Sequence, residues 1–345
     1  MEKELTDRQK KILSIIVDSY VETVEPVGSR MISKRYNLDL SPATIRNEMS
    51  DLEEAGLVMH PHTSAGRIPT DLGYRYFIDY LLKREEISQH LAADISKQFR
   101  SEMEGLNDLI EKASHILAAM TEQTGIVSYP EMKDLSFGEI SLHRLDLTHV
   151  LVIWVTTTGF VQNQVVDMRE EISEDILKKI TNFFNKELAG WPLCEMPQEI
   201  SKRLSQHKDS LYLLYKRALQ IVEGSLKKVE TTRICLEGSS HILEKPEFQN
   251  IDKSRLLFQA LEKRDQLFNL LRSDQHDQGV QVHVGRENKW EEIWGCSLIT
   301  ANYKYRDKVV GVIGILGPSR MRYGTVISFV DYLSRELSQA LERWC

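Results

Sequence analysis

Apolar residues recur along the first sixty positions with the spacing of three short helices. Ile12, Ile15, Ile16 and Tyr20 share one helical stripe behind Thr6, which is suited to cap a helix, and Pro26 limits the run. Ile32 and Tyr36 mark a second helix over residues 29–36. A third is predicted over 42–55. Ser41 is its N-cap, Pro42 suits the first helical position, and Ile45, Met49 and Leu52 fall at i, i+4 and i+7. Gly56 supplies the left-handed stop. Residues 57–60 and 67–70 then suit two short strands around a loop holding Pro61, Ser64 and Gly66. Three helices followed by a small ribbon form the layout of a winged helix-turn-helix.

Beyond residue 88 the pattern reads as one long helix to Thr121. Its seam is Leu91, Ile95, Phe99, Met103, Leu106, Ile110, Ala113, Leu117 and Met120. The second half approaches a heptad, so the helix either packs on its own domain or also pairs with a partner subunit. After Gly125 the period becomes that of strands: residues 137–147, then a hairpin over 149–167 turning at Thr158 and Gly159. Helices are predicted over 174–188, 205–230 and 253–272, with a strand at 232–236 between the last two. Strands resume at 280–285, 296–305 and 307–318, and a helix runs from Met321 to Trp344. Strands thus bracket a mainly helical middle. That fits one α+β domain interrupted by an insertion, or three domains in series.

Composition changes this picture in two ways. The 345 residues carry a formal charge of −7, and residues 1–84 are close to neutral, so any binding of nucleic acid must rest on local placement of charge. The outer face of the third helix presents Ala43, Asn47 and Ser50, with Thr44 and Arg46 on its flanks and Ser41 at its tip. Small residues allow close approach to base edges, and Asn and Arg can make paired hydrogen bonds to adenine and guanine. The acids Asp51, Glu53 and Glu54 lie in the far half, away from the end that enters a groove. Arg30, Lys34 and Arg35 on the preceding helix, and His60, His62, Ser64 and Arg67 in the wing, are placed to meet phosphates or the minor groove.

Other chemistry is poorly represented. His60 and His62 have metal-pair spacing but no Cys or carboxylate partner nearby in the wing. Tyr74, Tyr76, Phe77 and Tyr80 suit core and linker packing better than base stacking. The run GVIGILG (311–317) places glycines inside an apolar strand, which marks close packing rather than a nucleotide loop, and no nucleophile motif is present. Neither an enzyme nor a cofactor is expected. The four cysteines are scattered, no apolar run is long enough to span a bilayer, and the first residues lack an apolar signal segment; a cytoplasmic protein with reduced thiols and no membrane partner is expected.

Three runs carry a family resemblance: residues 40–57 (LSPATIRNEMSDLEEAGL), 63–82 (TSAGRIPTDLGYRYFIDYLL) and 313–330 (IGILGPSRMRYGTVISFV). Together they resemble the bacterial heat-inducible transcription repressors of the HrcA family, in matching order over essentially the whole chain. The resemblance implies an α+β multidomain architecture. Its parts would be a winged helix at 1–84, a linker helix at 85–123, a GAF-like domain in two halves at 124–189 and 277–345, and an inserted dimerising domain at 190–276. It further implies a homodimer that represses chaperone operons from a CIRCE-type inverted repeat in double-stranded DNA, with activity maintained by a GroEL-type chaperonin. A GAF-like domain also raises an alternative: a small molecule that gates DNA binding, although no cluster of converging polar groups marks its pocket.

Overall fold

The computed structural model describes residues 5–36, 38–61, 66–100, 106–130, 135–157, 159–206, 210–226, 234–275 and 277–344. The first helix, α1 (Asp7–Thr23), starts on a capping box between Thr6 and Gln9 and stops at Val24 in the left-handed conformation. It packs against α3 (Pro42–Glu54), with α2 (Ser29–Arg35) between them in sequence. Ile12, Ile16, Ile32, Ile45 and Leu52 are fully buried in this three-helix core. Each contributes on the order of 2 kcal/mol from apolar burial.

The strands β1 (Val58–Met59) and β2 (Ile68–Pro69) pair antiparallel. Arg67 adds a third rung by exchanging both backbone hydrogen bonds with Val27, at 2.8 and 2.9 Å. A short helix, α4 (Asp71–Tyr76), is capped by Thr70 and widens into a π-turn over Phe77–Leu81 before the chain leaves this head.

The long helix expected over 88–121 is instead two helices that fold back on each other: α5 (Gln89–Arg100) and α6 (Leu106–Thr121). Lys112 Nζ donates to the Gln98 carbonyl at 3.0 Å. In one straight helix these residues would stand roughly 21 Å apart. The apolar seam that suggested a partner is filled by the chain's own C-terminal helix, to which Ser96 and Ala92 hydrogen-bond through Tyr332 and Glu336. Met103 lies outside the described residues, and Met120 is exposed.

The strand β3 (Thr124–Ser128) follows, and then the chain makes a long excursion. Strands β4 (Phe137–Arg144), β5 (His149–Thr156) and β6 (Val161–Asp167) form their own antiparallel sheet. Helices α7 (Glu174–Glu187), α8 (Met196–Gln206) and α9 (Ser210–Leu226) complete the unit, α7 and α9 lying on the sheet's inner face. Phe137, Trp154 and Phe184 meet edge-to-face at 5.5–6.1 Å in its core, and the Trp154 indole donates to Ser225 Oγ at 2.9 Å.

The chain returns at β7 (Ile234–Glu237), followed by α10 (Ser239–Leu243), α11 (Ile251–Glu262) and α12 (Arg264–Ser273). It then adds β8 (Val280–Val284), β9 (Cys296–Tyr305), β10 (Lys308–Pro318) and α13 (Tyr323–Trp344). The second sheet has the order β7-β3-β10-β9-β8. One face packs on α6 and α13 through Val127, Ile299, Tyr303, Ile313 and Ile315; the other meets α10–α12 through Ile126, Leu298, Val312 and Leu316. This is the GAF-like layer. The glycines of 311–317 do mark close packing: a Cβ at Gly311 would meet the Tyr303 ring at 2.4 Å.

The five-stranded sheet takes β3 from before the excursion and β7–β10 from after it. Strands 137–167 do not join those at 280–318, so the halves expected at 124–189 and 277–345 are not the halves of the GAF-like sheet. Only β3 of the first half belongs to it. The excursion runs from the end of β3 to β7, and residues 239–273, expected in the insertion at 190–276, cover the GAF-like sheet instead. The helix α6 is likewise a layer of that domain rather than a linker.

Candidate nucleic-acid interface

The sequence rule for α3 places its two faces correctly. Ile45, Met49 and Leu52 are buried, while Ala43, Arg46 and Asn47 are exposed and Thr44 and Ser50 half-buried. Ser41 Oγ accepts from the Thr44 amide at 3.1 Å and shares a 3.0 Å hydrogen bond with the Thr44 hydroxyl. These two hydroxyls therefore hold the helix start. Arg46 and Asn47, one turn in, are exposed. Among the described residues Arg46 has no ion pair, so its guanidinium is free for a ligand.

The acids of α3 are held back from this face. Glu48 pairs with Arg8 at 3.4 Å, Asp51 accepts from the Gln9 side chain at 3.3 Å, and Glu53 pairs with Arg67 at 2.7 Å. Each of these partners lies on α1 or the wing, while Glu54 at the far end of α3 stays exposed. The N-terminal end of α3 keeps its positive dipole end at an exposed tip, which favours an anion.

On α2, Arg30 and Lys34 are exposed and make no ion pair among the described residues. Arg35 is exposed too, in a 3.4 Å pair with Glu22 that is half-exposed on both sides and weak. These three suit backbone contacts. Arg67 does not. Its side chain is only 12% exposed, is ion-paired to Glu53, and meets His60 Nδ1 at 2.7 Å. Extended Arg67 ties wing to helix in this arrangement, and a phosphate contact would require it to leave Glu53. His60 is drawn into the same cluster. His62 and Ser64 lie outside the described residues.

A second cluster of contacts, between the head and the rest of the chain, was not anticipated. The family-like runs at 63–82 and 313–330 meet each other and the turn after β8. Arg75 Nε donates to Glu287 Oε1 at 2.8 Å, and its Nη2 reaches Glu287 Oε2 and the Val282 carbonyl. Asp71 accepts from the Arg286 amide at 3.0 Å. Tyr74 stacks at a tilt on Tyr323 with ring centres 5.8 Å apart, and burial pushes both phenols well above their ordinary range. Arg320 donates to the Val21 carbonyl at 2.9 Å and pairs with Glu247. The aromatic cluster is thus packing, as expected, apart from an exposed Tyr80. The motifs themselves signalled the site, but spacing within each run cannot show that the two runs touch.

Other sites are sparse. No group of three potential metal ligands occurs among the described residues. Cys194, Cys235 and Cys296 are free thiols, and burial pushes Cys296 up to about 12, far from a reactive thiolate. The enclosed space beside the GAF-like sheet, between Ser128, Phe268, Leu271 and Val312, is about 10 Å³. That is room for one water at most. No described helix is long and apolar enough to cross a membrane.

Comparison with known proteins places these features in a family. Residues 4–80 match the model described as winged helix-turn-helix transcription repressor, HrcA DNA-binding, and residues 107–327 match HrcA protein C terminal domain. The chain is 37% identical over 344 residues to the heat-inducible transcription repressor HrcA of Desulforamulus reducens, covering 99% of this chain and 98% of that protein. It is 38% identical over 344 residues to the protein of the same description from Pelotomaculum thermopropionicum, with the same coverage. A crystal structure described as that of a hypothetical protein matches with a TM-score of 0.66 at 23% identity, covering 99% of this chain and 100% of that one. That last likeness shows the fold.

Proposed function

Since the chain belongs to the HrcA family of heat-inducible transcription repressors and carries its DNA-binding winged helix, we propose that two copies bind an inverted repeat upstream of chaperone genes. The observation that carries this reading is the outer face of α3: exposed Ala43, Arg46 and Asn47 at the helix start, with every acid but Glu54 drawn back by α1 or the wing. Arg46 and Asn47 read base edges in a major groove. Arg30, Lys34 and Arg35 hold phosphates. One head is close to neutral, so a single copy binds weakly and the pair supplies the affinity.

Support for pairing comes from the three-stranded sheet. Val150, Val152 and Trp154 point inward to α7 and α9, yet the opposite face carries Leu151, Ile153 and Val155 beside Val161 and Val165. Val161 and Val165 are 56% and 47% exposed. This apolar patch of β5 and β6, broken by Asn163 and bordered by Glu139, Ser141 and His143 of β4, is what a second copy of the chain would cover. The dimerising unit is therefore assigned to the excursion between β3 and β7 rather than to 190–276.

The topology supports a dependence on chaperonin. The central strand β10 pairs with β3, Ile313 facing Val127, so the GAF-like sheet cannot close until nearly the whole chain is available. Such long-range closure is slow and leaves apolar surface exposed meanwhile, which a GroEL-type chaperonin can shelter. Heat-damaged protein would compete for the chaperonin and lower the supply of folded repressor. The test is refolding of denatured protein with and without chaperonin, followed by footprinting upstream of the chaperonin operon. A protected inverted repeat that returns faster with chaperonin is expected. Equal recovery would remove the chaperonin step, and an absent footprint would remove the operator.

A further inference from the structure

The head is not tethered loosely to the body. Arg75 is held by both carboxylate oxygens of Glu287 and by the Val282 carbonyl, while Glu287 also accepts from the Val284 amide at 2.8 Å. One strand-end amide and one guanidinium thus converge on a single carboxylate. The contact is directional, since a planar guanidinium bound on two edges fixes angle as well as distance. Asp71, one turn earlier on α4, closes over Gly285. A Cβ there would meet the Asp71 carboxylate at 2.1–2.3 Å. On the far side of the head, Arg320 grips the C-terminal end of α1 through the Val21 carbonyl, and Glu85 of the connecting segment accepts from Thr325 at 2.7 Å. Tyr74 and Tyr323 fill the space between these polar contacts.

Three separated points fix a rigid body. The first lies at Arg75 and Glu287, the second at Arg320 and Val21, and the third where Glu85 meets Thr325. The helix α4 also joins directly to the wing through Thr70, whose hydroxyl donates to the Gly56 carbonyl at 2.6 Å, just past the end of α3. Rotation at α4 is therefore rotation of α3.

We propose that the Arg75–Glu287 latch, with Asp71 on the Gly285 turn, is a positioning device that fixes the angle of the reading helix on the body, and so sets the half-site spacing the dimer accepts. This rests on the reading of the protein as a repressor on an inverted repeat. A latched pair of heads accepts one separation and helical phase of half-sites. A pair on free tethers accepts many, and binds the native one less well because orientation must then be fixed on binding. Arg75 and Glu287 contact no DNA in this scheme and act only through α3.

The experiment compares full-length wild type, Arg75→Glu, Glu287→Arg and the double exchange. Each is measured on the native inverted repeat and on repeats shifted by about 5 base pairs, half a helical turn. The wild type is expected to prefer native spacing by about 10- to 100-fold, each single variant by less than about 3-fold, with recovery in the double exchange. A wild-type preference retained by the single variants, or tighter binding by them to the native repeat, overturns the proposal. Spin labels on unnatural side chains at positions 54 and 304 give a readout free of DNA. A narrow distance distribution in wild type that broadens in the single variants and narrows again in the double exchange supports the latch; a broad one in wild type overturns it. If the wild type shows the narrow distribution yet no preference for the repeat at any spacing, the latch stands and the operator reading fails.

Discussion

Replacing Arg67 by Ala separates a phosphate contact from a structural strut. In the folded head the guanidinium lies 2.7 Å from Glu53 and 2.7 Å from His60, with only 12% of the side chain exposed. Removing it leaves Glu53, itself about one-third exposed, without its cation. An exposed pair contributes up to about 1 kcal/mol, and breaking a buried one costs about 3–5 kcal/mol. This pair sits between those limits, so a loss of about 1–3 kcal/mol is expected, confined to the wing. The rung that reports it is the reciprocal pairing of Val27 with Arg67. Hydrogen exchange of those amides should speed up by roughly 5- to 150-fold, while the GAF-like sheet is unchanged. The salt dependence of DNA binding should keep its slope. Lys34→Ala is the opposite control: it should leave exchange unaltered and flatten the slope by about one counterion. Unchanged exchange in Arg67→Ala together with a slope reduced by one would refute the strut and restore the phosphate contact.

Two further outcomes follow from the same geometry. Ile153→Lys, in the middle of the outer sheet face, should shift the protein to a monomer in sedimentation and lower operator affinity, since a lysine in that face cannot be desolvated against a second copy; a dimer of undiminished strength would place the interface elsewhere. Acid should loosen the head from the body. Burial pushes the Glu287 carboxyl up, but Arg75 and the Val284 amide more than offset it; Asp274, likewise pushed up by burial, is brought below its ordinary value by His283 and Thr300. Both lowered acids stabilise the fold above their ordinary range, and that contribution fades as pH falls below it. Protection of β8 amides, corrected for intrinsic exchange, should therefore drop between about pH 5 and pH 3, less so in Glu287→Gln. Protection that is level over that range would contradict the sign.

Local chemistry made the head legible. Caps at Thr6 and Ser41, the i, i+4, i+7 stripe of α3 and the stop at Gly56 are decided within a few residues, so the observed elements follow the pattern closely. Features set by distant partners did not follow. Arg67 carries the same charge whether it meets phosphate or Glu53, and only the fold puts Glu53 beside it. The seam at 88–121 is equally satisfied by one long helix or by two helices folded against α13. Strand periodicity locates β4–β6 but cannot say which sheet they join, and the insertion was misplaced for that reason. β5 is apolar on both of its faces, Val150, Val152 and Trp154 against Leu151, Ile153 and Val155, and a strand of that kind requires a cover on each side.

The central claim is that the exposed start of α3 reads sequence. Its most direct measurement is the ratio of affinities for the chaperone-operon repeat and for a scrambled duplex at one salt concentration, in wild type, Arg46→Ala and Asn47→Ala. Each substitution should reduce the ratio by about 1–3 kcal/mol, or roughly 5- to 150-fold, while binding to scrambled DNA changes little. Equal losses on both duplexes would contradict the assignment and leave α3 as a phosphate-binding element alone.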